Sequence, residues 1–168
     1  MLKKHYTYKT PIRELLKELN IPPSESRVKE LAKDFENALN FTKAYSDTPG
    51  ALKKLGKDYK LGMITNTDYL SFRKLEELFE LDKVFDTITK SYEIGILKPN
   101  LGIFEATLKK LRTNKNESFM VGDSLKDDIE AAEMAGVRGV LIDRKNKYPN
   151  YPNRITTLNE LQKYLAEG

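Results

Sequence analysis

Apolar residues recur at helical spacing in two stretches at the start of the chain. Ile12, Leu15, Leu16 and Leu19 form one stripe behind Pro11, which suits a first helical turn. Val28, Leu31, Phe35, Ala38 and Leu39 form a second stripe, beginning near Ser24 after the break at Pro22-Pro23. From Thr48 onward the pattern alternates between short apolar runs and amphipathic segments. Thr48-Pro49-Gly50 reads as a cap and first-turn proline for a helix carrying Leu52 and Leu55. Tyr59–Thr65 reads as a strand, and a helix with Phe72, Leu75, Leu78 and Phe79 follows. Phe85–Thr89 is a second strand candidate, and Lys98-Pro99-Asn100 leads into a helix burying Ile103, Phe104, Leu108 and Leu111. Phe119-Met120-Val121 then stops at Gly122-Asp123, and the next helix places Ile129, Ala132 and Ala135 on one face before Gly136. Gly139–Asp143 is a further strand, and a last helix carries Leu158, Leu161 and Leu165. Strands alternating with helices predict a Rossmann-like, three-layer α/β/α fold around a parallel sheet, with residues 1–47 as a helical segment and 48–168 as the core.

Composition narrows the classes. The 168 residues, 39% hydrophobic and 32% charged, suffice for one packed domain and are unlike a disordered chain. Cysteine is absent and His5 is the only histidine, so disulfide, thiolate and His-rich zinc chemistry are excluded. The formal charge is only +4, with Lys and Glu interspersed along the helices, so nucleic acid is not an expected partner. No apolar run approaches a membrane span and no signal-like core is seen, so a cytoplasmic protein without a membrane partner is expected. Abundant Lys and Glu without Cys also suits a heat-adapted protein.

In a parallel sheet all strand carboxyl ends meet at one rim, where open α/β folds bind ligands. The first strand brings Thr65 and Asn66 there, a hydroxyl and backbone amides at a helix start that suit phosphate, although a threonine in that place is commonly just a cap. Lys98, before Pro99, offers a cation for phosphate or an anionic nucleophile. Asp123, Asp127 and Asp128 offer hard oxygen ligands of the kind Mg²⁺ takes. Each signal is weak alone. Their order and spacing carry more.

With these motifs, the sequence from about Thr48 to the C-terminus resembles the haloacid dehalogenase-like hydrolases, mostly Mg²⁺-dependent phosphatases. PGALKKLGKDYKLGMITNTD is similar to the second family motif, with its threonine at Thr65. ILKPNLGIFEATLKKL is similar to the third, with its lysine at Lys98, and VGDSLKDDIEAAEMAGV to the fourth, with its metal-binding acids. The resemblance implies metal ligation by Asp123 and Asp128, with Asp127 as an extra ligand, and phosphoryl binding by Thr65, Asn66 and Lys98. It also implies that the helices before Thr48 are part of a cap inserted after the family's first strand.

The family's first motif, an Asp-x-Asp pair on a central strand, has no counterpart in these 168 residues. The resemblance therefore implies phosphate-monoester hydrolysis through an aspartyl-phosphate as the parent activity, on a small phosphorylated metabolite. It also implies a chain inactive alone and weak Mg²⁺ binding. A truncated product is the simplest account. Three repairs of the central gap are open: direct pairing of the flanking strands, insertion of residues 1–10 (HYTYKT alternates as a strand does), or a strand supplied by a second copy or a partner chain. Tyr6 and Tyr8 read as an exposed face that self-association would cover. Metal-free 2-haloacid dehalogenase chemistry suits the acidic cluster less well, and a receiver-like or nucleotide-binding domain lacks its phosphate loop. The main alternative is a non-catalytic anion- or partner-binding module derived from the same fold.

Overall fold

The computed structural model describes residues 7–167. In chain order its elements are α1 (Lys9–Glu18), α2 (Glu25–Leu39), α3 (Thr48–Leu55), β1 (Gly62–Thr65), α4 (Tyr69–Leu78), α5 (Leu81–Val84), β2 (Thr87–Lys90), α6 (Ser91–Ile94), α7 (Gly102–Leu111), β3 (Phe119–Gly122), α8 (Ala131–Met134), β4 (Arg138–Ile142), β5 (Arg154–Ile155) and α9 (Leu161–Glu167). They group into two compact units, one made of residues up to Lys43 with Asp68–Phe79, the other of Ala44–Thr67 with Glu80 onward. The sequence pattern had placed α4 in the core; the structure groups it with α1 and α2.

In the first unit α1 packs on α2, Tyr8 and Phe35 meet with ring centroids 4.6 Å apart, and the Tyr8 hydroxyl lies 3.1 Å from Ser71 Oγ on α4. Tyr8 is thus buried, contrary to the exposed face read for Tyr6 and Tyr8, and Thr7–Thr10 of HYTYKT form no strand but lead into α1; His5 and Tyr6 lie outside the described residues. The apolar stripes are only partly used. Leu16, Val28 and Ala32 are buried, whereas Leu15, Leu19, Leu31 and Phe35 are exposed, because so few helices offer too little surface to cover both stripes. Ser24 caps α2 by accepting from the Arg27 amide.

The second unit is the α/β part, and all its strand pairings are parallel. Strands β1 and β2 form one ladder, with Thr65 opposite Lys90. Strands β3, β4 and β5 form another, with Phe119 opposite Arg138 and Ile142 opposite Ile155. Among the described residues no ladder joins β1 to β3. Direct pairing of the flanking strands, one of the repairs open to the sequence, does not occur.

Helices nevertheless cover both faces. On one, Ile103 and Phe104 of α7 pack with Ala131, Ala132 and Val137, and both Ile64 of β1 and Met120 of β3 pack against this cluster. On the other, Leu55 of α3 and Leu161 of α9 pack with Val140 and Ile155, joined by Leu61, Phe119 and Val121. Each fully buried Ile or Phe contributes about 1.5–3 kcal/mol, enough to hold the two ladders in one layer without a hydrogen bond between them. Strand β5 is only two residues long, too short to show a hydrophobic periodicity. The expected cap at Thr48 is displaced by one residue: Asp47 occupies the N-cap position and Thr48 is already helical.

Candidate functional site

Strand β3 ends at Gly122, and the chain turns through Asp123 and Ser124 into a single stretch of π-helix, Leu125–Glu130, before α8. The Ser124 hydroxyl accepts from the Asp127 amide, and the Ser124 carbonyl accepts from both Asp128 and Ile129. This wider turn carries Asp128 and Ile129 inward together, so Asp128 is buried while Asp127 is half-buried and Asp123 exposed. The Asp128 carboxylate lies against the end of β3, and a Cβ on Gly122 would stand only 2.3 Å from its Oδ2. Glycine is required there by close approach.

Both Asp128 oxygens are engaged. Oδ1 accepts from Lys98 Nζ at 2.6 Å and Oδ2 accepts from the Ser124 amide at 3.1 Å. Lys98 Nζ also donates to the Ile64 carbonyl at 3.4 Å, at the carboxyl end of β1. One lysine therefore ties the ends of β1 and β3 at a common rim. The pair is well shielded, with side-chain exposures of 13% for Lys98 and 6% for Asp128.

Asn66 holds that lysine. Its Nδ2 donates to the Lys98 carbonyl at 3.0 Å, and its Oδ1 accepts from the Lys98 amide at 2.9 Å. The peptide between Lys98 and Pro99 is cis. Thr65 is buried; its hydroxyl donates to Thr67 Oγ1 and accepts from the Thr67 amide. The following helix starts at Tyr69, directly after Asn66-Thr67-Asp68. Its capping residue is Asp68, whose Oδ1 accepts from the amides of Leu70 and Ser71. The helix-start amides expected to cradle phosphate beside Thr65 are thus already satisfied by a carboxylate.

The structure therefore brings Thr65, Asn66, Lys98 and Asp128 to the strand ends, with Asp123 exposed and Asp127 half-buried in the turn beyond. Among the described residues no three acidic or histidine side chains converge as a metal cluster. Asp123 and Asp128 have the hard-oxygen chemistry Mg²⁺ favours, but with Asp128 bonded on both oxygens these residues alone do not fit a complete octahedral site.

Two arrangements around the site had no sequence signal. Asp47 Oδ2, ahead of α3, accepts from Arg144, from the Thr157 hydroxyl and from the Leu158 amide at 2.6–2.9 Å, and Arg144 lies over the Tyr45 ring. The Arg144 hydrogen bond above all, helped by the other donors against the opposing effect of burial, holds the Asp47 carboxyl well below the usual carboxylate range. Asp143, at the end of β4, is pushed up by burial but held below its ordinary value overall by the amides of Tyr148 and Lys147 and by Arg154. Asp47 lies about a hundred positions from Arg144, Thr157 and Leu158, so no local pattern could reveal the cluster. Between β1 and β3 lies a cavity of about 590 Å³, lined by both strands and by residues of α3, α9 and the loop after β4.

The family profile of haloacid dehalogenase-like hydrolases matches residues 3–142, most of the chain. The protein belongs to this family. It is 34% identical over 128 residues to haloacid dehalogenase-like hydrolase domain-containing protein 3 of Xenopus laevis, covering 72% of this chain and 49% of that protein. It is 35% identical over 89 residues to glyceraldehyde 3-phosphate phosphatase of Methanothermobacter thermautotrophicus, covering 52% of this chain and 38% of that one. The chain thus spans about half the length, or less, of these curated relatives. Among solved structures, a HAD phosphatase from Thermococcus onnurineus superposes with a TM-score of 0.71 at 27% identity, covering 94% of this chain and 88% of that one. The α/β/α fold read from the sequence is the family's fold. No helix among the described residues is long and apolar enough to cross a membrane.

Proposed function

We propose that this chain carries the phosphate-binding half of a phosphate-monoester phosphatase site and is inactive by itself. The observation that carries the reading is the placement of Lys98 Nζ at the strand-end rim, between the Ile64 carbonyl and the Asp128 carboxylate, with Thr65 next to Ile64 as the last residue of β1. In the parent reaction a carboxylate attacks phosphorus as the ester P–O bond breaks and the substrate alcohol leaves, and water then cleaves the aspartyl-phosphate to free carboxylate and inorganic phosphate. Lys98 offsets charge on the phosphoryl oxygens, Thr65 orients the phosphoryl group, and Asn66 fixes the backbone of Lys98 so that its ammonium need not be positioned afresh. Asp123 and Asp128 would hold Mg²⁺ only weakly in this chain, since both Asp128 oxygens are engaged and the ligand set is incomplete. The attacking carboxylate is not among these residues: the sequence contains no Asp-x-Asp, and Asp34 lies within α2 while Asp47 is held by Arg144 and Thr157. The substrate is a small phosphorylated metabolite.

The test is Mg²⁺-dependent hydrolysis of p-nitrophenyl phosphate by this chain and by the chain extended with a family-like first strand bearing Asp-x-Asp. Activity only in the extended protein supports the reading. Activity in the present chain, or a phosphorylated aspartate detected by mass after acetyl-phosphate treatment, overturns it.

One observation favours the second reading, a non-catalytic anion- or partner-binding module. Lys98 is already neutralised by Asp128, and a cavity lined by Ile64, Gly122 and Asp123 opens between β1 and β3. If the extended protein folds and remains inactive, that reading takes precedence.

A further inference from the structure

A threonine hydroxyl carries one proton and two lone pairs. At the end of β1 the Thr65 hydroxyl gives its proton to Thr67 Oγ1 at 2.8 Å and accepts from the Thr67 amide at 3.1 Å. Thr65 is also buried, with 7% of its surface exposed. It therefore has no proton left to donate to an anion.

The neighbouring groups are differently placed. Asn66 is clasped to the Lys98 main chain through both ends of its side-chain amide and keeps one Nδ2 proton. Lys98 Nζ gives two of its three protons to the Ile64 carbonyl and Asp128 and keeps the third. Thr67 is half-buried, and among the described residues nothing accepts its hydroxyl proton. That proton is also a strengthened donor. The Thr67 amide polarises the Thr65 hydroxyl, which in turn polarises the Thr67 hydroxyl, and successive donations of this kind reinforce one another. Thr67 follows directly on Asn66, so this hydroxyl belongs to the same short turn that clasps Lys98.

We propose that Thr67 makes the hydroxyl contact to the phosphoryl group, and that Thr65 is a positioning residue acting through it. The inference rests on the phosphate-binding reading of this rim and changes which threonine touches the ligand. Thr65 holds the turn by accepting from the Thr67 amide and aims the Thr67 hydroxyl by occupying one of its lone pairs. The bound oxyanion accepts from Thr67 Oγ1 and from the remaining Lys98 proton. A hydrogen bond to a charged acceptor is worth more than a neutral one, so the loss of this hydroxyl is readable as affinity.

The probe is inorganic phosphate titrated into the full chain, followed by ³¹P line broadening and by the γ-methyl signals of the threonines. In the parent chain the Thr67 methyl signal is expected to move further than that of Thr65. Thr67→Val, which keeps the shape and lacks the hydroxyl, is expected to bind phosphate about tenfold more weakly, and Thr67→Ser as the parent does. Thr65→Val is expected to weaken binding less than Thr67→Val. That smaller loss disappears when Thr67 is already valine, so the double variant binds like Thr67→Val alone, the signature of a residue acting through another. A larger shift at Thr65 than at Thr67 overturns the proposal, and this needs no variant to fold. So does unchanged or tighter binding by Thr67→Val, the outcome expected if the anion uses the Thr65 proton that this change releases. A greater loss in Thr65→Val than in Thr67→Val does so too. Because Asp128 occupies Lys98 in the parent chain, the series is repeated with Asp128→Asn. Absence of phosphate binding in both backgrounds overturns the phosphate-binding reading and this inference together. Phosphate binding that is indifferent to Thr67 overturns this inference alone.

Discussion

Asn66 and Lys98 are joined by two reciprocal hydrogen bonds through one side-chain amide, 3.0 Å to the Lys98 carbonyl and 2.9 Å from its amide. The asparagine thus fixes the main chain of the residue whose ammonium ties two strand ends. Asn66→Ala removes both bonds and is expected to cost about 1–2 kcal/mol in urea unfolding. Asn66→Asp keeps the acceptor but loses the donor and places a carboxylate beside the Lys98 carbonyl. It is expected to fall below wild type as well, which separates a positional requirement from a requirement for polarity alone.

The pair of Lys98 and Asp128 sets the character of the rim. With both side chains largely shielded, Asp128→Asn leaves a lysine in a poorly hydrated place, and a loss on the order of 1–3 kcal/mol is expected. The same change unmasks the ammonium. Inorganic phosphate, followed by ³¹P line broadening, is expected to bind Asp128→Asn more tightly than the parent chain and Lys98→Met more weakly than either. The double variant separates the coupling from the individual costs.

At the end of β3, Gly122 leaves no room for a side chain: a Cβ would lie 2.3 Å from Asp128 Oδ2 and 2.5 Å from its Cγ. Gly122→Ala must push the carboxylate away from Lys98 and Ser124. A loss of about 1–3 kcal/mol is expected from the overpacking, together with the same gain in phosphate affinity as Asp128→Asn. Unchanged stability would mean that the turn yields without disturbing the pair.

Acid sensitivity is expected to come from Asp47. Its folded-state carboxyl is held below the ordinary value, chiefly by the Arg144 hydrogen bond. The stabilisation is therefore complete above the unfolded carboxyl's pKa, near 3.9, and is lost as pH falls through the lower folded value. Urea midpoints measured from about pH 5 downward should decline in the parent chain. The decline should be shallower in Asp47→Asn, which keeps the shape and lacks the titration. Equal slopes would remove Asp47 as the cause.

Much of this site was readable in the chain because its parts are local. Phe119-Met120-Val121 followed by Gly122-Asp123 announces a strand end, and the Ile129, Ala132 and Gly136 spacing announces the helical segment after it. The placement of Thr65 and Lys98 at strand and helix boundaries follows from the same alternation. What the pattern did not contain was how the polar groups are used. Asn66 looked like an anion-binding residue, yet its side chain is bonded to Lys98. The amides at the start of α4 looked open, yet Asp68 caps them. Asp128 looked like a metal ligand, and in this structure its two oxygens are engaged by Lys98 and Ser124. Each of those outcomes depends on which of several nearby donors wins the same acceptor, a competition decided by a few tenths of an ångström.

By itself, the sequence determined the order of the longer helices and of β1 to β4, the parallel α/β/α layering and the family, because hydrophobic periodicity and turn chemistry act over a few residues. It also determined that no Asp-x-Asp pair is present. Tertiary structure alone decided that α4 groups with α1 and α2, and that Asp47 meets Arg144 and Thr157 across about a hundred positions. It alone decided that β1 and β3 stand apart with a groove between them rather than closing on each other. The physical reason is shared burial. Ile64 and Met120 are held by one helical cluster and Phe119 and Val121 by another, so both faces of the layer are fastened at the spacing their helices set. No local preference of either strand can close that gap, because closing it would pull both strands off the cores that hold them.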